Sequence, residues 1–329
     1  MQMTSAPRRL LAPLVAALAL LGLVAVPAEA RQQTEHERIV AFWTNERVAK
    51  AVPRDFVLDP ASGRISPARR PGGGGGGSVT GASWTKGGEV LKASGKVLFA
   101  LGSSYYVCSA AVVDDNKNDR SIILTAAHCV WDPATGFASN WIFIPEYDTA
   151  PVRLSGSFCA NTVHGCWTAS SIVVSDAFAS EPGFTTTAVR HDYAFVVVGT
   201  GGKSNSQLDD VVGSFPISFS DASASTDAYL FGYPAAGKYK GTDLVYSRGP
   251  IGFDASTANT TYRVTSNMTG GSSGGPWLSS FNETTGTGTL VSVNSYGYTG
   301  VTAMFGPILN AETSGMFTAA LTASSDVRY

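Results

Sequence analysis

From about residue 83 onward, short runs of β-branched and aromatic residues alternate with stretches rich in Gly, Ser, Asn and Asp. Apolar runs bounded by turn-forming residues predict β-strands, and no long helical period interrupts them before residue 306. The predicted strands are 96–101, 105–113, 121–126, 140–144, 172–174, 193–198, 228–232, 244–246, 261–265, 276–278 and 289–293. Regularly spaced short strands are typical of an all-β barrel or sandwich.

Three other stretches have different patterns. Residues 37–52 place apolar side chains at helical spacing and end at Pro53, so they predict a helix. Residues 307–324 are compatible with a second, C-terminal helix. Pro71 is followed by six glycines, which predicts a flexible linker. Residues 199–208, rich in Gly and Ser, indicate a connection between two groups of strands.

The charge distribution changes at the same place as the pattern. Residues 1–82 carry ten Lys and Arg against six Asp and Glu, whereas residues 83–329 carry thirteen against nineteen. The formal net charge of the whole chain is −2, which gives no reason to expect nucleic-acid binding.

The first 30 residues have the pattern of a secretory signal peptide. Arg8 and Arg9 precede an apolar run over 10–26, and Ala28-Glu29-Ala30 is a small-x-small cleavage site. The alternative is a permanent transmembrane anchor, against which the cleavage pattern argues. We therefore expect a secreted, extracellular protein without stable membrane association. Export places the four cysteines in an oxidising compartment, where an even number implies two disulfides.

Three short blocks carry candidate chemistry. Residues 270–277 read Gly-Gly-Ser-Ser-Gly-Gly-Pro-Trp, residues 124–129 read Leu-Thr-Ala-Ala-His-Cys, and residues 191–196 read His-Asp-Tyr-Ala-Phe-Val. A serine on a glycine-flanked bend suits acyl transfer, provided that a base and an orienting acid lie nearby. The order along the chain is His, Asp, Ser. An α/β-hydrolase needs its histidine after the serine, and all four histidines precede Ser273. The subtilisin order, Asp before His, has no matching block.

These blocks, in this order, resemble the trypsin/chymotrypsin-fold serine endopeptidases, and in particular the secreted bacterial branch that includes glutamyl endopeptidase-like enzymes. The resemblance covers roughly residues 83–329. It implies an all-β fold of two six-stranded antiparallel barrels, about 83–200 and 209–329, with the active site in the cleft between them and a short C-terminal helix.

The resemblance also implies the roles of individual residues. His128 is the general base, Asp192 orients it, and Ser273 is the nucleophile. The backbone N–H groups of Gly271 and Ser273 form the oxyanion hole. Ser272 stands where the animal digestive enzymes have an aspartate that pairs with the newly cut N-terminus. Serine cannot form that ion pair, so activation by that route is not expected.

The same resemblance implies a substrate-binding region. Its residues are Asn267, Asn294, Ser295, Tyr296 and Gly297. No acid stands at Asn267, which argues against a preference for Arg or Lys. Glutamyl-specific relatives use a histidine near Asn294, and none follows Ser273 here. Uncharged pocket residues suit an uncharged substrate side chain.

By resemblance, Cys108 pairs with Cys129, which leaves Cys159 and Cys166 for the second disulfide. A zinc site needs three or four ligands at a credible spacing, and the histidines and cysteines do not provide one. We therefore expect no metal and no cofactor.

Taken together, the sequence predicts a secreted serine endopeptidase made as a precursor. Its expected parts are a signal peptide (1–30), a propeptide (31–70), a linker (71–82) and a protease domain (83–329). The expected partners are a peptide or protein substrate and its own propeptide, which, if it is inhibitory, is expected to act by covering the cleft; the chain is expected to be a monomer. Two alternatives stay open: residues 31–70 could be an extension without a role, and the fold could serve as a non-catalytic binding module.

Overall fold

The computed structural model describes residues 33–59, 65–67, 79–117, 119–147 and 157–324. The predicted signal peptide and most of the predicted linker lie outside the described residues. From Thr34 onward the chain belongs to one compact unit.

The helices within the described residues are short. They are α1 (Glu35–Phe42), α2 (Asn45–Lys50), α3 (Glu89–Ala93), α4 (Asp176–Ala179), α5 (Leu208–Val212) and α6 (Ala311–Thr322). The same part of the chain has 3₁₀ turns at Ala127–Cys129, Cys159–Asn161, Ala188–His191 and Ala255–Thr257.

Strands are the commonest regular structure among the described residues. Those of the first part are β1 (Val52–Pro53), β2 (Phe56–Leu58), β3 (Ile65–Pro67), β4 (Val79–Ser83), β5 (Ser94–Leu101), β6 (Ser104–Val113), β7 (Ser121–Thr125), β8 (Trp131–Asp132), β9 (Gly136–Phe137), β10 (Ser139–Pro145), β11 (Trp167–Val174) and β12 (Ala194–Val198). Those of the second part are β13 (Asp227–Gly232), β14 (Val245–Pro250), β15 (Gly252–Phe253), β16 (Thr261–Val264), β17 (Pro276–Asn282), β18 (Thr287–Val293), β19 (Tyr296–Tyr298) and β20 (Met304–Pro307).

The first half is a closed barrel of six antiparallel strands in the order β5-β6-β7-β12-β11-β10. Closure removes the free strand edges that an open sheet would expose. Helix α6 packs on β11 and β12, and α1 packs on β10 and β11. Every residue of β12 is buried as a result, which is why that strand is apolar without alternation.

The second half is divided between two sheets that share one core. One sheet has the order β18-β17-β13-β14-β4, and the other has the order β15-β16-β20-β19-β2-β3. Strands of both sheets fill a single apolar cluster that includes Leu230, Val245, Tyr262, Trp277 and Met304. The all-β, trypsin-like two-barrel fold with a short C-terminal helix is confirmed.

The N-terminal helix differs from the prediction in that it is broken in two. Trp43 is fully buried, and its indole N–H donates to the backbone oxygen of Asn140 at 2.6 Å. Thr44 then begins α2, since its hydroxyl accepts a hydrogen bond from the Arg47 N–H at 3.3 Å. The helix is interrupted here because burial of the indole and the new N-cap at Thr44 both favour a break over one continuous helix.

Part of the predicted linker is also a strand. Residues 79–83 form β4, which pairs with β14 in antiparallel orientation from Val245↔Ser83 to Arg248↔Val79. The edge of the second half is therefore covered by chain that precedes residue 83.

Two disulfides are present, Cys108–Cys129 and Cys159–Cys166. They are the pairs that the resemblance implied. Among the described residues, no helix combines the length and the apolar character that crossing a membrane requires.

Candidate active site

His128 lies in the 3₁₀ turn that directly follows β7. Its side chain is almost fully buried, and the neighbouring Cys129 is tied to β6 through Cys108. The turn is therefore held from two sides, by the sheet and by the disulfide, which limits the positions that the imidazole can adopt.

Asp192 reaches the same place from the neighbouring strand. It lies two residues before β12, which pairs with β7 through Ala194↔Thr125. Its Oδ2 is 2.7 Å from the His128 Nδ1, and its Oδ1 accepts from the His128 backbone N–H at 2.9 Å. The hydroxyl of Ser295 also donates to Oδ2. Because an ionised carboxylate only accepts hydrogen bonds, the contact assigns a proton to Nδ1.

The serine lies on the turn between β16 and β17. Gly271 and Gly274 have φ values of +97° and +81°, which disfavour any residue with a Cβ. A Cβ on Gly274 would lie 2.2 Å from the Thr125 hydroxyl oxygen, so only glycine lets this turn approach the first barrel. The Ser272 hydroxyl donates to the backbone oxygen of Thr269 at 2.8 Å, whereas Ser273 Oγ is 3.4 Å from Asp55 Oδ1. The turn therefore uses the Ser272 hydroxyl internally and directs the Ser273 hydroxyl towards Asp55.

The N–H groups of Gly271 and Ser273 are the predicted oxyanion-hole donors. Among the described residues, neither group donates to a protein acceptor, whereas the neighbouring N–H groups of Ser272, Gly274 and Gly275 all do. The turn thus keeps two donors available beside the Ser273 hydroxyl. The role of these donors stays a prediction.

The imidazole and the serine hydroxyl face adjacent residues of one segment. His128 Nε2 is 3.1 Å from the backbone oxygen of Arg54, and Ser273 Oγ contacts the side chain of Asp55. Since Arg54 and Asp55 are consecutive, His128 and Ser273 border the same short stretch of cleft. The sequence contained no signal that would have located Arg54 and Asp55 there, because neither belongs to a recognisable motif.

Three of the predicted substrate-binding residues lie in or next to β19. Ser295 holds Asp192, as described above, and Gly297 pairs with Val57 of β2. The Tyr296 side chain points away from the cleft: its hydroxyl lies 2.7 Å from Asp254 Oδ2 and 2.7 Å from the Thr261 hydroxyl. Burial raises the pKa of Tyr296, so the phenol stays protonated and donates a hydrogen bond to Asp254.

The two predicted asparagines have different surroundings. Asn294 is fully buried; its Nδ2 donates to the backbone oxygens of Phe231 (2.7 Å) and Ser272 (3.0 Å), and its Oδ1 accepts from the Trp277 indole (2.9 Å). The Asn294 side chain therefore stabilises the serine turn through hydrogen bonds from its buried side. Asn267 Oδ1 lies 2.6 Å from the hydroxyl of Tyr239.

An aromatic cavity of about 130 Å³ lies beside His128. Phe178, Phe184 and Trp131 line it together with Phe56. Phe56 stacks on Phe184 with ring centroids 4.2 Å apart and meets the imidazole edge-on at 5.2 Å.

Cys108, His128 and Cys129 form the one group of three metal-type ligands found among the described residues. The two sulfurs are joined in a disulfide and cannot act as thiolate ligands. The arrangement therefore does not fit a metal site.

Comparison with known proteins gives consistent results. A family model described as a trypsin-like peptidase domain matches residues 108–286. The crystal structure of the protease Anisep from Arthrobacter nicotinovorans is 32% identical, covers 70% of this chain and 96% of its own, and superposes with a TM-score of 0.59. The structure of AL20, a thermostable serine protease from an extremophilic microorganism, is 32% identical, covers 72% of this chain and 100% of its own, and has a TM-score of 0.60. A search of curated proteins gives no match.

Proposed function

The chain belongs to the family of trypsin-like peptidases and is a serine-type peptidase, and on this basis we propose that it hydrolyses internal peptide bonds through His128, Asp192 and Ser273. In this proposal an acyl-enzyme forms on Ser273. The protein is secreted, and it is made as a precursor.

One observation carries the proposal. A buried imidazole is bonded on one side to a buried carboxylate at 2.7 Å, and on its other side it borders the cleft stretch that the serine hydroxyl also borders. A base that is oriented by an acid and has one nitrogen directed to the cleft is what the activation of a serine requires.

The proposed reaction follows from these positions. Ser273 Oγ attacks the substrate carbonyl carbon while its proton passes to His128 Nε2, and Asp192 stabilises the imidazolium that forms. The N–H groups of Gly271 and Ser273 bind the oxyanion. When the tetrahedral intermediate collapses, the C–N bond breaks and the leaving amine takes the proton from Nε2. Water then attacks the ester by the same steps, which releases the acid and restores Ser273.

The test is covalent labelling of the processed protein with an organophosphonate probe. Ser273→Ala should abolish labelling and turnover, and Ser272→Ala, whose hydroxyl bonds within its own turn, should keep substantial activity. The opposite result would move the nucleophile to Ser272. Processed, folded wild-type protein that takes up no probe would favour the binding module instead.

Secretion as a precursor is supported by the N-terminal sequence pattern, the two disulfides and the position of residues 54–56 beside His128 and Ser273. Intact-mass analysis of secreted, active protein should give an N-terminus after Gly77. A fully active chain that begins at Arg31 would remove the propeptide from the proposal.

A further inference from the structure

Residues 52–58, here called the cleft segment, lie across both walls of the proposed active site. β1 pairs in parallel with β6 through Val52↔Tyr106 and Pro53↔Val107. β2 pairs in parallel with β19 through Tyr296↔Phe56, Gly297↔Val57 and Tyr298↔Leu58. The backbone of the cleft segment therefore pairs with β19, the strand that contains Tyr296 and Gly297 of the predicted substrate-binding region.

The cleft segment also engages the base. His128 Nε2 lies 3.1 Å from the backbone oxygen of Arg54, while Nδ1 is hydrogen-bonded to Asp192. Nε2 therefore faces the backbone of the cleft segment, and the Ser273 hydroxyl contacts the Asp55 side chain. An imidazole whose two nitrogens are both engaged in this way is not available to take the proton of Ser273.

The group presented to the nucleophile is not cleavable. Ser273 Oγ donates to the carboxylate of Asp55 at 3.4 Å, and a carboxylate is a poor electrophile because its charge opposes attack by an oxygen nucleophile. The chain thus places a side chain, and not a peptide carbonyl, against the hydroxyl. This explains how a polypeptide could remain intact in a peptidase cleft.

Buried contacts hold the cleft segment in this position. The Arg54 guanidinium, largely buried, pairs with Asp132 at 2.8 Å. Phe56 is stacked on Phe184 beside the imidazole. Arg54 and Phe56 are the residues directly before and after Asp55, so these contacts hold Asp55 in place from both sides.

A second attachment lies upstream, independent of the cleft. Ile39 and Trp43 are fully buried and belong to the same apolar core as the first barrel. The Trp43 indole donates to Asn140 O, and α1 packs against β10 and β11. We call Ile39 and Trp43 the anchor. It attaches the N-terminal segment to the domain without help from the covalent link through the glycine run.

We propose that the cleft segment inhibits the active site and that the anchor keeps it there after the chain has been cut in the glycine run, so that activation requires loss of the N-terminal segment and not only a cut. This inference rests on the proposed function. Ser272 agrees with it: the residue offers no carboxylate to a new N-terminus, and its hydroxyl is bonded to Thr269 O.

The experiment uses the full chain with a recognition site for a sequence-specific protease inserted into residues 72–77. After cutting, size-exclusion chromatography and intact mass show whether the N-terminal fragment stays bound, and the organophosphonate probe reports the reactivity of Ser273. At a concentration about a hundred times the fragment's Kd, about a tenth of the protease in the 1:1 cut complex is free, so the complex should label about tenfold more slowly than the same protein freed of the fragment. Trp43→Ala should release the fragment on cutting and label at the fast rate.

Two results would overturn the inference and leave the proposed function standing: a cut complex that keeps its fragment and labels at the fast rate, or a wild-type fragment that leaves as soon as the glycine run is cut. If the folded, fragment-free protein takes up no probe either, the proposed function fails, and the inference fails with it.

A second pair of variants tests the cleft segment without touching the anchor. In the uncut chain Phe56→Ala should raise the labelling rate about tenfold or more, because it removes the contacts with His128 and Phe184. Val52→Ala is the matched control, since the Val52 side chain is 52% exposed. Equal labelling rates in the two variants would contradict inhibition by this segment.

Discussion

Two buried aspartates support the same short strand, β19, and the chemistry around them differs. Asp192 accepts from the His128 ring, the His128 backbone N–H and the Ser295 hydroxyl. Asp254 accepts from the Tyr296 hydroxyl at 2.7 Å, the Tyr298 hydroxyl at 2.5 Å and the Ser256 backbone N–H at 2.9 Å. Both carboxylates are therefore desolvated, and both receive three hydrogen bonds.

The difference lies in the partners. Burial raises the pKa of Tyr296 and Tyr298, so their hydroxyls stay protonated and the Asp254 cluster has no group that gains or loses a proton during turnover. Asp192 faces an imidazole whose second nitrogen reaches the cleft. A buried carboxylate with all its hydrogen bonds made does not by itself indicate catalysis. It indicates catalysis only when its partner can take up a proton from the cleft.

The largest effect on kcat should come from neutralising Asp192 in the processed enzyme, and the same change at Asp254 is the comparison. Asp192→Asn should lower kcat by about 10⁴-fold, the loss usual in this family, because the amide no longer fixes the tautomer or stabilises the imidazolium. Asp254→Asn should leave kcat within about tenfold, since no proton moves there. Steady-state kinetics on a peptide substrate measure both.

The loss of stability should not follow the loss of kcat. Asp254→Asn should cost about 1–3 kcal/mol in the free energy of unfolding, because an amide NH₂ then faces donors in a buried site. Denaturant unfolding measures the loss. Equal kcat losses in the two variants would erase the distinction between the aspartates.

Lys96 extends the comparison to a buried cation. Its Nζ donates to the Gly241 backbone oxygen and lies 4.0 Å from the centroid of the Tyr147 ring, and burial lowers the pKa of Lys96 to about 7. Above pH 7 the folded chain loses this proton, whereas the unfolded chain keeps it up to about pH 10, so stability rises with pH.

From pH 7 to 8.5 the expected gain from this one group is about 1.5 kcal/mol. Unfolding of the wild type and of Lys96→Met at the two pH values measures it as the difference in slope, since the other groups are common to both. Parallel pH profiles would show that Lys96 stays charged in the folded protein.

The smallest effects should come from removing one donor from each carboxylate. Tyr298→Phe should cost about 1 kcal/mol of stability and leave kcat unchanged. Ser295→Ala should cost a similar amount of stability and also lower kcat by about tenfold, because it loosens Asp192. A kcat loss in Tyr298→Phe as large as that in Ser295→Ala would connect the Asp254 cluster to turnover.

Local patterns predicted much of the fold. The runs that became β5, β6, β7, β12 and β13 were found within about two residues, because their apolar residues are continuous and bounded by turn residues. β4 was missed because Val79–Ser83 has no strand pattern of its own and is a strand only through its pairing with β14. The break at Trp43 was missed for a related reason: it depends on a pocket that residues far away in the chain provide.

The sequence alone determined the chemistry that this chain could carry, since the His, Asp and Ser blocks are short and local and the glycines around Ser273 are required by the backbone of the turn itself. It also determined the barrel class, because strand patterns are local. Only the tertiary structure decided what stands in the cleft and which buried aspartate faces a base. Arg54, Asp55 and Asp254 carry no local signal, and apart from the Ser256 N–H beside Asp254 the partners named here are 42 to 218 residues away in the chain.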